Sequence, residues 1–136
     1  MSLKQPDLLR FALVGLGGGI GAVLRYVISG YMQQLSPGAA FPLGTVAVNL
    51  VGCFFIGALS QLADAHGIFT TESRVFVFTG ILGGYTTFST FANETINLMR
   101  EGQSGGALLN VVIQVSLGLA AVFLGRMVAG WLWRAV

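Results

Sequence analysis

The chain has 136 residues, 54% of them apolar and 9% charged, with Lys plus Arg 7, Asp plus Glu 5 and a net charge of +2. An average soluble domain carries roughly 25% charged residues, so this charge complement cannot cover a water-facing surface. A mean hydropathy of +0.80 excludes a soluble globular protein and, equally, a disordered chain, which would be poor in apolar residues. The chain reads as an all-α integral membrane protein. The absence of a basic run or a Lys/Arg stripe with interleaved aromatics argues against a nucleic-acid partner.

A bilayer core of about 30 Å needs ~20 mostly apolar residues as a helix. Four windows qualify, at 8–32, 43–63, 75–99 and 107–131, and together they make one membrane domain over residues 1–136. The first runs straight from an apolar stretch into Arg25 without a small-x-small cleavage pattern, so it reads as a span and not as a secretory signal. Arg25 either snorkels to an interface or biases a wet vestibule electropositively. Gly15/Gly19 and Gly17/Gly21 stand at the four-residue spacing that lets membrane helices approach closely. The run Gly17–Ala22 also fits G-x-G-x-x-A, but it lies in a hydrophobic helix with no strand before it, which argues against a nucleotide site.

Pro37-Gly38 marks a turn, and Pro42 suits the start of the second span, which carries no charge. Asn49, an amide in the middle of that span, must find partners in hydrocarbon, either as a helix-to-helix hydrogen bond or as a pore donor. Cys53 is the only cysteine and reads as a small packing residue. With His66 the only histidine, a His/Cys metal site has no material. Thr70, Thr71 and Glu72 are good first-turn residues for the third span.

That third span holds the densest polar set, Gly83-Gly84-Tyr85-Thr86-Thr87-Phe88-Ser89-Thr90, and Glu94 stands near its end. The glycine pair weakens the helix, and neither flanking piece can cross a bilayer alone. Two half-helices meeting at a Gly/Thr break is the pattern that places ion sites near the midplane, where unwound backbone offers carbonyls to a cation and amides to an anion. A glycine packing interface whose hydroxyls bond back to their own helix is the alternative. Phe88 and Phe91, three apart, share a face either as core or lipid-facing rings, or as ring edges that meet an anion without a full charge. On the fourth span Asn110 and Gln114 make a polar stripe continued by Gly118.

Four spans put both termini and the second loop on one side. That side collects Lys4, Arg10, Arg74 and Arg134, with Arg126 close by, against Arg100 and a leaning Arg25 on the other. The positive-inside rule then weakly favours a cytoplasmic N-terminus.

The run Gly83–Thr95 resembles the signature of the small fluoride channels, the Fluc or CrcB family, and Gly17–Arg25 and Gly44–Gly57 are similar to that family's first- and second-helix motifs. The resemblance covers essentially the whole chain in order. It implies a fluoride-selective channel, not an enzyme, built as a dual-topology antiparallel homodimer in the bacterial inner membrane. On that resemblance Phe88 and Phe91 line the fluoride path, Asn49 is the pore asparagine and Arg25 the first-helix arginine. Ser89 and Thr90 belong to the hydroxyl wall, and Glu94 to the vestibule. Gly83 and Thr86 would hold a central sodium ion through backbone carbonyls from both subunits. The family's fourth helix commonly carries hydroxyls, where this chain has Asn110, Gln114, Gly118 and Val122, and its Lys/Arg bias exceeds the ideal for a chain that inserts both ways.

The mechanism so implied is passive export: HF enters from an acidic medium, dissociates inside, and fluoride leaves down its electrochemical gradient. A small, strongly hydrated anion needs many weak donors in place of its water, which Thr and Ser hydroxyls, the Asn49 amide and ring edges supply. Two rival readings are a proton-coupled exporter, for which Glu94 is the sole intramembrane carboxylate, and a structural membrane subunit, which would not need the polar third span.

Overall fold

The structure is a computed structural model and describes residues 5–135, so the charge assigned to Lys4 lies outside the described residues. Among the described residues all regular structure is helical. Four stretches are long and apolar enough to cross a membrane: Asp7–Gln34, Leu43–His66, Thr71–Arg100 and Ser104–Arg134. The chain is a multi-pass membrane protein. Each helix overruns its apolar window by a turn or less, because polar end residues can keep helical geometry in the interface.

The first helix, α1 (Gln5–Gln34), ends in a loop clamped by a side chain of its last turn. Gln33 Nε2 donates to the carbonyls of Ala39 and Phe41, both at 3.3 Å, and its Oε1 accepts from Gly44 N at 3.3 Å. That clamp sets the start of α2 (Leu43–His66), which closes on Gly67 in the left-handed region (φ 61°), with Gly67 N–H donating to Ala63 O. The third span begins with α3 (residues 71–85), capped by Thr70, whose hydroxyl accepts from Ser73 N at 3.2 Å. Its stretch Val75–Leu82 is π-helical. After Thr86 and Thr87 comes α4 (Phe88–Arg100), and α5 (Ser104–Arg134) contains a second π-helical turn at Ile113–Leu117.

Glycine decides how closely these helices meet. A Cβ on Gly17 would lie 2.6 Å from the Phe76 carbonyl oxygen, one on Gly84 would lie 2.5 Å from the Gly18 carbonyl oxygen, and one on Gly21 would collide with the Ile81 carbonyl. So α1 and α3 touch backbone to backbone along Gly17/Gly21 and Gly80/Gly84. The pair α2 and α5 does the same through Gly57 against Val122 and Gly125 against Phe54. Gly15 and Gly19, at the same spacing, have nothing among the described residues within 4 Å of where a Cβ would stand.

The most enclosed helix is α2, with 33% of its apolar window buried against 11% for α1. Large apolar residues such as Leu16, Val23, Leu119 and Phe123 face outward, as lipid-solvated helices require. At one end of the bundle Asp64 accepts from Arg126 at 3.0 Å and stands 3.9 Å from Arg74, and His66 stacks on Trp133 with ring centroids 4.2 Å apart. These contacts tie the end of α2 to the start of α3 and the end of α5.

Gly84→Ala is expected to destabilise the subunit by roughly 1–3 kcal/mol, because the atom in the way is α1 backbone, which cannot rotate aside. Gly105→Ala, where a Cβ meets nothing within 4 Å, should be neutral. Thermal unfolding in detergent compares the two.

Candidate ion pathway

Thr86 (φ −84°, ψ 158°) and Thr87 (φ −151°, ψ 111°) are extended, and they separate α3 from α4. Of the Gly/Thr break expected there, the glycine pair stays helical: Gly83 has φ −63°, ψ −38°, and Gly83–Tyr85 forms the last turn of α3. The reason is packing, since Gly84 is held against the α1 backbone at Gly18. The interruption therefore falls on the threonines, whose hydroxyls can replace backbone partners. Thr86 N and Thr86 Oγ1 both donate to Leu82 O at 3.0 Å, ending α3. Thr87 caps α4, its Oγ1 accepting from Thr90 N at 3.2 Å and donating to Thr90 Oγ1 at 2.9 Å.

The interruption takes helical donors from the carbonyls of residues 83–86, Gly83 and Thr86 among them. In an unbroken α-helix Thr87 N–H would serve Gly83 O, and Thr90 N–H would serve Thr86 O. The first donates instead to Asn49 Oδ1 at 2.9 Å and the second to the Thr87 hydroxyl. Gly83 is exposed and Thr86 half-buried.

Asn49 meets Thr87 with both ends of its amide: besides accepting from Thr87 N, its Nδ2 donates to Thr87 O at 3.1 Å. The same Nδ2 donates to Gln114 Oε1 at 2.6 Å. The series continues, Gln114 Nε2 donating to Asn110 Oδ1 at 3.0 Å, Asn110 Nδ2 to Thr95 Oγ1 at 2.9 Å, and Thr95 Oγ1 to Phe91 O at 2.8 Å. Every bond points the same way because the Thr87 N–H at its head can only donate. Asn110 is 0% exposed and sits inside this series, so it supports the path from behind and does not line it.

Asn49, Thr87, Gln114, Phe88 and Phe91 line one cleft of about 340 Å³, joined by Cys53, which packs on Gly118 and also faces the opening. No charged residue among the described ones lines it. The two rings lie 5.4 Å apart at 59°, with different surroundings: Phe91 is 8% exposed and Phe88 78%. Phe91 is core on this subunit, while Phe88 presents its ring outward. Thr87 also lines a second hollow of about 480 Å³, together with Arg25, Tyr26, Ser29, Thr45 and Thr90. The interruption thus separates an uncharged cleft from a hollow carrying a half-buried guanidinium. Glu94 lines neither; its Oε1 accepts from Thr45 Oγ1 at 2.7 Å, and its Oε2 is buried without a partner among the described residues. The Ser89 hydroxyl stands 3.4 Å from Thr87 Oγ1 and lies outside both openings.

Comparison with known proteins gives the kin of this arrangement. The sequence model of the family described as CrcB-like protein, camphor resistance (CrcB), matches residues 12–126. The chain belongs to the CrcB family. Among similar relatives is a protein from Shewanella sp. (strain W3-18-1) named fluoride-specific ion channel FluC. It is 48% identical over 114 residues, which is 84% of this chain and 90% of the relative. The protein of that name from Methylobacillus flagellatus is 44% identical over 83% of this chain and 88% of its own length. Fluoride-specific ion channel FluC 1 of Methanosarcina acetivorans is 42% identical over 86% and 88%.

In this CrcB chain three residues matter that the sequence reading did not single out. Thr87 is the hub of the interruption, Thr95 ends the amide series and Thr45 holds Glu94. Thr87 was signalled by its place three before Thr90, the spacing of a hydroxyl cap. Thr95, four after Phe91, had the spacing of a back-bonded threonine. Nothing in the sequence marked Thr45.

Asn110→Leu removes two bonds from a fully buried position and leaves Gln114 Nε2 and Thr95 Oγ1 short of a partner. A stability loss of about 1–2 kcal/mol is expected from membrane hydrogen bonds of this kind, measured as a lowered midpoint of thermal unfolding. An unchanged midpoint would show that the series does not hold α4 to α5.

Proposed function

We propose that this chain is a fluoride channel that exports fluoride passively across the bacterial inner membrane and so lowers cytoplasmic fluoride. The observation that carries the proposal is the uncharged cleft at Thr87, lined by the Asn49 and Gln114 side chains, Thr86, Thr87 and the Phe88/Phe91 pair. Neutral donors replace the water of a small anion without the Coulombic hold of a fixed cation, so the ion can leave again. The names of the relatives point to the same ion. Arg25, in the neighbouring hollow, raises the local anion concentration without standing in the cleft. A proton-coupled exporter would need its carboxylate in the transport cleft, and Glu94 is engaged with Thr45 outside it.

The proposal includes an antiparallel homodimer with the Thr86–Thr87 interruption near the bilayer midplane. Phe88, so exposed on one subunit, would then gain a partner surface. The freed carbonyls of Gly83 and Thr86 suit a sodium ion at the dimer centre, two oxygens from each subunit, because neutral oxygen ligands match a hard monovalent cation. Bound there, sodium would cross-link the two broken helices and serve structure.

Proteoliposomes loaded with fluoride should lose it through the purified protein, and matched vesicles loaded with chloride should not. Phe88→Ile and Phe91→Leu keep apolar bulk and remove the ring quadrupole, so each should fold yet lower flux by about 10-fold. Normal flux in both would return the rings to packing. Replacing sodium on both sides by a large organic cation should slow the flux or loosen the dimer by mass action. Indifference of both to the cation would remove the sodium site.

A further inference from the structure

The amide series has a consequence for fluoride itself, resting on the channel reading above. Asn49 owns two N–H donors, and both are taken, one by Thr87 O and one by Gln114 Oε1. An anion drawing on this amide must therefore displace one of the two acceptors. The Thr87 carbonyl belongs to a closed two-bond pairing, since Thr87 N–H returns a bond to Asn49 Oδ1. Gln114 offers a single bond from the end of a flexible side chain, and it shares the cleft with Asn49. Gln114 is the acceptor that can leave.

We infer that the Gln114 side-chain carbonyl is a built-in competitor for fluoride, occupying the Asn49 donor that the ion must take and so setting how readily fluoride engages the path. The orientation of that carbonyl is not free. Gln114 Nε2 is held by Asn110 Oδ1, and Asn110, fully buried, is itself fixed by its donation to Thr95. A half-turn of the Gln114 amide would set its NH₂ against the NH₂ of Asn49 and its oxygen against the oxygen of Asn110, losing both bonds at once. Asn110 is thus a positioning residue: it makes Gln114 present its acceptor, the negative end of the amide dipole, where an anion would want a donor. A hydroxyl in its place could turn to donate as well as accept; this amide, so held, cannot.

The test is the fluoride concentration that half-saturates the initial flux into proteoliposomes, measured for wild type, Gln114→Met and Gln114→Ser. Methionine keeps the length and removes the strong acceptor; serine is too short to reach Asn49. Either should lower the half-saturating concentration by about fivefold, the factor that corresponds to one net hydrogen bond, in protein that elutes as wild type does. A half-saturating concentration equal to or above wild type, in whichever variant folds, overturns the inference. Failure of both variants to fold would make Gln114 a structural strut and overturn it too. Absence of any saturable fluoride flux in wild type would instead overturn the channel reading, and the two failures are separable because the wild-type curve is read first.

Discussion

Asn49 pairs with both backbone groups of Thr87, and the rest of the site depends on that pairing. Hydrocarbon has no water to satisfy an unwound peptide, so extended backbone within a span survives only where protein supplies its partners. One side-chain amide on α2 does so by donating and accepting at once. Its grip diverts the Thr87 N–H away from Gly83 and leaves a carbonyl free, while the Thr87 hydroxyl starts α4 afresh. The interruption is therefore a satisfied structure and not a weak point in a helix.

The pairing requires α2 to stand close to the third span, and glycine is what allows it. Gly52, three residues on from Asn49, leaves room for the Thr86 methyl, which a Cβ would strike, with the Tyr85 ring close beside it. On the other side, Gly84 is pressed onto Gly18 of α1, which keeps the last turn of α3 helical and confines the unwinding to the two residues after it. Without water to drive apolar burial, such close contact is the main attraction available between membrane helices. The same property that weakens an isolated helix thus hardens this one once its neighbour is in place.

Charge is kept at the margins of this machinery. Asp64 partly offsets Arg74 and Arg126 at one end of the bundle, and Arg25 faces the hollow beside the cleft. Inside the cleft polar amides and threonines stand among apolar and aromatic side chains. That division suits an ion which must be drawn in by a distant field and then released, because each neutral donor holds it weakly while together they replace its hydration. It also gives one amide orientation an influence that a charged site would drown. Whether Gln114 shows its oxygen or its NH₂ to Asn49 is then a sizeable fraction of the total interaction.

Much of this was legible from composition and spacing. Apolar windows of bilayer length separated by short polar connections determine a four-helix membrane chain, because span length is imposed by the membrane and not by tertiary partners. The polar run from Gly83 to Thr95 marked the site, since each such group is costly in hydrocarbon and must have a use. Asn49 announced, by the same logic, that it had a partner. Tertiary structure alone decided which partner, because Thr87 lies 38 positions away and Gln114 65. Spacing along one helix could not show that Asn110 turns into the core while Gln114 turns into the cleft, as that depends on what α4 and α2 present to them. Nor could it place the break, for a glycine pair reads as flexible in a sequence and becomes a rigid contact only where another backbone is pressed against it.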